Sequence, residues 1–266
     1  FEGRSGNSLN LSQLVQGLLM KFAVVSLMPE MFDAILDFGV TSRAFERNLV
    51  TLTVVNPRTF ADDRHGTVDD RPYGGGPGMV LKAEPMLAAV KAAKAAVGGA
   101  PIVVHFSPRG KPLDQGLLAA WIENFDEMVF LASRYEGLDE RVIDSVVDLE
   151  VCVGDFVVSG GELPAMMALD ALIRLLPGVL GDESSKNDES FIDGLLEYPQ
   201  YTRPETVGGR VVPEVLLSGD HKAIAQWRHQ QSLVVTQSRR PDLLKRRGVT
   251  DQEARFLETK SQKPEQ

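Results

Sequence analysis

The chain reads as an α/β protein built on a mostly parallel sheet. Short apolar, β-branched runs alternate with stretches of helical periodicity from residue 20 to about residue 181. That alternation implies helices covering both faces of a parallel sheet. Polar or glycine-rich loops follow three of the apolar runs, where ligands collect in open α/β sheets. At 266 residues and 43% hydrophobic content the chain has material for one large or two modest cores.

The elements follow in order. Residues 22–27 and 49–55 read as strands, separated by helical patterns over 29–37 and 41–48. The segment Asp69-Asp70-Arg71-Pro72-Tyr73-Gly74-Gly75-Gly76-Pro77-Gly78-Met79 has too many Gly and Pro residues for regular structure and reads as a fixed loop of sharp turns. A helix over 84–97 precedes a strand at 102–106, which ends in Ser107-Pro108-Arg109-Gly110. Helix 113–124, strand 127–132 and the polar turn Ser133-Arg134-Tyr135-Glu136-Gly137 come next. Helix 139–147 then leads to a strand at 149–153.

After that strand, the run from Gly154 through Gly160-Gly161 passes straight into an apolar helix over 163–176. Two glycines at such a junction let backbone approach a ligand with no Cβ in the way, and the N–H groups opening the helix are free to bind something polar. The loops 107–110, 133–138 and 154–161 occupy equivalent positions after their strands, so they are expected to converge on one pocket. Arg174 sits one helical turn after Asp170, and on spacing alone that pair reads as an ordinary i, i+4 ion pair.

The polar stretch 182–190 lacks hydrophobic periodicity and reads as a mobile connection. Helical patterns resume over 222–235, 242–247 and 251–259, with Asp220 and Asp251 as N-caps. The expected organisation is a leader at 1–19 that is disordered and outside the folded part, an α/β domain at 20–181, a flexible linker at 182–196 and a small all-helical domain at 197–266. Met20 reads as the functional start.

Charge is unevenly spread. The whole chain carries a formal −9, which argues against non-specific nucleic-acid binding. Between Arg203 and Arg247, nine Lys/Arg stand against four Asp/Glu, a local +5 that suits a chosen polyanion. A solvated helical surface accounts for the same charges equally well. A single cysteine, Cys152, excludes an intramolecular disulfide framework and a multi-cysteine metal cluster, so a reducing cytoplasm is the expected compartment. The four histidines lack metal-ligand spacing, no run of 18 apolar residues is present, and neither a Walker A nor a GxSxG element appears.

Taken in order, Met28-Pro29-Glu30-Met31-Phe32, the 68–79 loop, Arg134 to Arg141, Gly154 to Pro164, Tyr201-Thr202-Arg203-Pro204, Pro213 to His221 and Trp227-Arg228 closely resemble the bacterial TrmD family, the tRNA (guanine-37-N1)-methyltransferases of the SPOUT class. The resemblance spans Met20 to about Leu257. It implies a C-terminal deep trefoil knot in the α/β domain, which no periodicity or spacing would suggest. It also implies a homodimer with each active site at the subunit interface. S-adenosylmethionine is then the expected cofactor, enclosed by Ser107, Pro108, Ser133, Tyr135, Glu136, Gly137, Cys152, Val153, Gly154, Asp155, Phe156, Val157, Val158, Gly160, Gly161 and Pro164. Mg²⁺ is an implied requirement without a visible carboxylate cage.

The implied reaction is methyl transfer to N1 of guanine 37 in tRNAs carrying guanines at 36 and 37. Guanine N1 bears a proton, so a base must remove it during attack. By motif the base is Glu189, ahead of Ser190-Phe191; the family residue is usually aspartate, which leaves the neighbouring Asp188 as the other candidate. Arg174 matches the family arginine that stabilises negative charge developing on guanine O6. tRNA contacts fall by resemblance on Asp69, Gly78, Arg203, Arg228, Arg239 and Arg240. Ser133 stands where the family usually has glycine. Two alternatives remain: a SPOUT methyltransferase for another RNA nucleotide, and a non-catalytic RNA-binding relative.

Overall fold

The computed structural model describes residues 19–180 and 189–261. The chain divides into two compact units, Phe1–Gly181 and Asp182–Gln266. The expected leader falls, except for Leu19, outside the described residues, as does the first part of the expected linker, 182–188, with Asp188 in it.

In the first unit a five-stranded sheet forms from β1 (Met20–Val25), β2 (Val50–Val55), β5 (Ile102–Pro112), β6 (Glu127–Leu131) and β7 (Leu149–Cys152), in the spatial order β2-β1-β6-β5-β7. Every pairing in this sheet is parallel, as the strand–helix alternation required. Successive residues face opposite sides of a strand, and the two faces are filled separately. Met20, Phe22, Val24, Met128 and Phe130 bury against α6 (Glu162–Leu175) and α4 (Gln115–Asn124). Ala23, Val25, Val129 and Leu131 bury against α3 (Ala83–Val97) and α5 (Glu140–Val146). Phe130 anchors the first layer, with the rings of Phe106, Phe22 and Trp121 at 5.4, 6.0 and 6.2 Å.

Local chemistry fixes the helix starts. Asp114 accepts from Leu117 N at 2.9 Å and Asp139 from Arg141 N at 2.9 Å, so both acids cap helices that begin one or two residues later than the periodicity suggested. The pattern over 29–37 resolves into a 3₁₀ turn, Pro29–Phe32, followed by the short α1 (Asp33–Asp37); α2 (Gly39–Glu46) precedes β2.

Two readings need correction in this unit. The Gly/Pro-rich loop is not irregular throughout: β3 (Asp69–Asp70) pairs antiparallel with β4 (Val80–Leu81), closing the loop at its base. β5 does not stop at Phe106. It continues to Pro112, because Lys111 and Pro112 find partners on Val151 and Cys152 of β7 after a break in register.

The second unit contains α7 (Glu214–Leu217), α8 (His221–Arg239), α9 (Pro241–Arg247) and α10 (Asp251–Ser261). It also holds a two-residue hairpin of β8 (Thr206–Val207) and β9 (Arg210–Val211), where only helices were expected. Leu195, Leu233, Leu244 and Leu257 form its core. Asp220 caps α8 through Lys222 N and Ala223 N. Asp251, expected as the cap of α10, is instead its first residue. Thr250 and Glu253 make the reciprocal pair, Glu253 N donating to Thr250 Oγ1 at 3.3 Å and Thr250 N to a Glu253 carboxylate oxygen at 2.8 Å.

Candidate functional site: a cavity between three strand ends

The site starts from the break in β5. Phe106 and Lys111 both oppose Val151, so Ser107–Gly110 is squeezed out of the ladder as a bulged turn. Gly110 lies so close to β7 that a Cβ there would stand 2.3 Å from Val151 N. Only glycine fits such an approach.

The loop after β6 packs against the same region. Gly161 N donates to Ser133 O at 2.7 Å, and Arg134 bridges Gly160 in an isolated antiparallel step. A Cβ on Gly161 would lie 2.7 Å from Ala132 Cα and 2.9 Å from Ser133 N. These are backbone atoms with nowhere to go, so the Gly-Gly junction is dictated by backbone crossing backbone. The same loop is stitched to the Gly/Pro-rich segment, with Glu136 N donating to Met79 O at 2.9 Å and Leu81 N to Gly137 O at 2.9 Å.

Beneath the junction lies a fully buried carboxylate. Glu162, at the start of α6, accepts from Ser26 Oγ at 3.0 Å and from Arg134 Nε at 3.0 Å through the same oxygen. Its Oε2 has no hydrogen-bond partner among the described residues. A buried acid of this kind persists only with a cation beside it, and Arg134 supplies the charge.

Together these segments enclose a cavity of about 410 Å³. Its lining includes every residue expected to hold the cofactor, at 107–108, 133, 135–137, 152–154, 156–158, 160–161 and Pro164, with the exception of Asp155. Arg109 and Arg134 line it too, within the loops expected to converge there, and the wall also includes residues that sequence reasoning missed: His105, Phe106 and Glu140. His105 is only 3% exposed, with Nδ1 3.1 Å from Glu150 Oε1 and Nε2 3.0 Å from Ser133 Oγ. Burial pulls its pKa below the ordinary histidine value, against an opposing hydrogen bond from Glu150. Arg109 forks onto Glu140 at 3.1 and 3.2 Å and reaches Glu150 at 3.5 Å. No sequence signal marked His105 or Glu150, since their meeting depends on the register of β5 against β7.

The remaining expected residues lie elsewhere. Arg174 is half-buried near the end of α6 and does not line the cavity. Asp69 opens β3, and Gly78 sits against Glu136, whose Oε1 would be 2.2 Å from a Cβ at that position. In the second unit Glu189 lines a separate cavity of about 370 Å³ with Tyr198, His221, Arg228 and His229. Arg228 stacks over the Tyr198 ring at 4.8 Å. Arg203 and Arg239 are exposed, while Arg240 pairs with Asp242 at 2.8 Å. No group of three or more His, Cys, Asp or Glu residues able to hold a metal occurs among the described residues, and none of the described helices is long and apolar enough to cross a membrane.

Comparison with known proteins agrees along nearly the whole chain. A family model described as tRNA (Guanine-1)-methyltransferase TrmD matches residues 20–246. A Coxiella burnetii (strain Dugway 5J108-111) protein named tRNA (guanine-N(1)-)-methyltransferase is 54% identical over 235 residues, 88% of this chain and 95% of that protein. Proteins of the same name from Tolumonas auensis (52% over 238 residues, 90% and 95%) and Methylobacillus flagellatus (51% over 250 residues, 92% and 94%) are similarly close.

Proposed function

The chain belongs to the TrmD family of tRNA (guanine-1)-methyltransferases, and from that premise we propose that it methylates N1 of guanine 37 in tRNA, using S-adenosylmethionine. The observation that carries this reading is the cavity walled by three strand-end loops, two of whose glycines leave no room for a Cβ. Its volume falls within the range of about 300–1,000 Å³ usual for small-molecule sites. Apolar side chains at Val151, Val153 and Val158, together with turning backbone, suit an adenine ring and a flexible tail. The residues present therefore fit the cofactor.

When bound, S-adenosylmethionine supplies an electrophilic methyl group on sulfur. The strand-end loops around the cavity would exclude water and hold the donor in one orientation toward the target purine. Glu189 takes the N1 proton in this reading, and Asp188 is the other candidate. Arg174 stabilises charge gathering on O6. The resemblance draws these two groups from different subunits of a homodimer. Supporting self-association, Leu163 and Met167 lie one turn apart on α6 and remain 47% and 53% exposed. The backbone crossings at Gly110 and Gly161 support the trefoil knot that the family implies. The basic stretch 203–247 would meet the phosphates of the anticodon stem-loop, with the target base splayed from its stack. Mg²⁺, an implied requirement, has no built site among the described residues. A cytoplasmic setting agrees with a tRNA substrate and an unpaired cysteine.

The test is incubation with labelled S-adenosylmethionine and a tRNA transcript carrying guanines at 36 and 37, followed by mass-spectrometric mapping. N1-methylguanine at 37 is expected. A methyl group at another nucleotide would keep the chemistry and change the target. Absence of product, with no calorimetric binding of S-adenosylmethionine, would favour a non-catalytic RNA-binding protein.

A further inference from the structure

His105 is the one titratable side chain in the cavity wall that is bonded at both ring nitrogens to other side chains of that region. The Glu150 carboxylate has only lone pairs to offer, so Nδ1 must carry a hydrogen. In the neutral ring Nε2 is then an acceptor, and Ser133 Oγ–H donates to it. With its single hydrogen spent, the Ser133 oxygen presents lone pairs alone to anything else. Protonation of His105 reverses this: Nε2–H donates to Ser133 Oγ, whose own hydrogen is released to point away as a donor. The same event adds a positive charge to the wall.

We propose that His105 is a positioning residue of the methyl-donor pocket: through Glu150 and Ser133 it holds the Ser133 hydroxyl as an acceptor for a donor group of the ligand, and its protonation weakens binding of a cationic ligand. This rests on the reading of the cavity as the S-adenosylmethionine site. That molecule carries a sulfonium and an ammonium against one carboxylate, a net positive charge, besides an adenine amino group and ribose hydroxyls; an acceptor suits those donors, and added positive charge opposes the net cation.

The neighbouring charges allow the switch. Glu150, from β7, faces His105 directly; Arg109, from the far part of β5, reaches Glu150 but is itself forked onto Glu140 of α5. Arg109 bonds to Glu140 at 3.1 and 3.2 Å, closer than its 3.5 Å reach to Glu150, and Glu150 still accepts the Nδ1 hydrogen at 3.1 Å. Burial keeps His105 below the usual 6.5, so the neutral form prevails at neutral pH and the change falls on the acid side.

Calorimetric titration of S-adenosylmethionine into the whole protein at about pH 8 and about pH 5.5 tests this, with the His105→Gln variant beside it. A pKa below 6.5 leaves the ring only partly protonated at about pH 5.5, so acidification is expected to weaken wild-type binding about two- to fivefold and to leave His105→Gln at its pH 8 value. Equal acid losses in both proteins, or none in the wild type, would overturn the proposal. If the wild type gives no heat at about pH 8, the cofactor reading fails first, and the proposal with it. A second readout needs no ligand. In Ser133→Ala the Nε2 partner is lost in both protonation states, and the bond lost from the charged ring is the stronger, so the His105 pKa measured by NMR should fall, and affinity at about pH 8 should fall about threefold. An unmoved His105 titration in that variant also defeats the relay.

Discussion

The first unit makes its cavity out of backbone; the second carries its charges on side chains held by caps and ion pairs. Around the cavity, Gly110 and Gly161 are fixed because a neighbouring main chain occupies the space a Cβ would need. In the second unit Glu253 is the hub, accepting from Arg247 at 3.0 and 3.2 Å and lying 2.9 Å from His229. A backbone-built site is vulnerable to added volume and tolerant of salt. A side-chain network is vulnerable to acid and ionic strength, while its exposed arginines tolerate changes of shape. The contrast fits a small shaped ligand in one unit and a polyanion on the other.

The largest expected effect tests whether the second unit contributes chemistry as well as charge. Glu189→Gln should lower methyl transfer by about 10²–10⁴-fold while leaving S-adenosylmethionine binding intact, measured by single-turnover assay and calorimetry. Unchanged turnover would move the base to Asp188 and return Glu189 to the surface. Next comes acid stability. The Arg247 hydrogen bonds hold Glu253 down to about 2, from an ordinary 4.5. Its stabilising contribution is therefore complete above 4.5 and is lost as pH falls through about 2. That contribution amounts to roughly 3 kcal/mol. Glu253→Gln should lower the stability of the second unit at neutral pH and flatten its acid unfolding, followed by circular dichroism; an unchanged acid limb would mean another group governs it.

A smaller effect sharpens the comparison from the other side. Gly161→Ala should cost about 1–3 kcal/mol of stability and abolish measurable cofactor binding, because the methyl meets Ala132 and Ser133 backbone. Retention of both would show that the crossing has slack. The smallest concerns Arg203 and Arg239. Arg203→Gln or Arg239→Gln should each weaken tRNA binding several-fold and reduce the slope of log affinity against log salt by about 0.7–0.9. A variant that leaves the slope unchanged makes no phosphate contact.

Much of this was legible in the chain. The parallel sheet could be read because β-branched runs and helical periods alternate locally, and the cavity loops because Gly, Ser and Pro cluster after those runs. What escaped was whatever depended on distant pairing. The extension of β5 to Pro112 requires β7 as its partner, and the β3–β4 ladder needs the two ends of a Gly/Pro-rich loop to meet. His105 looked like one more strand residue until register placed it opposite Glu150. Thr250 lost out to the more obvious Asp251 as a cap, although the Thr-x-x-Glu spacing was there to be read.

The bond from Ser26 to Glu162 joins groups 136 positions apart. On a ribosome, synthesis runs from the amino end, so the early strand waits for its acidic clasp until α6 has emerged. Closure of such a distant contact is slow compared with local helix formation. A nascent chain halted before that helix would hold a sheet without a finished pocket, and the ability to capture a methyl donor would switch on late in translation.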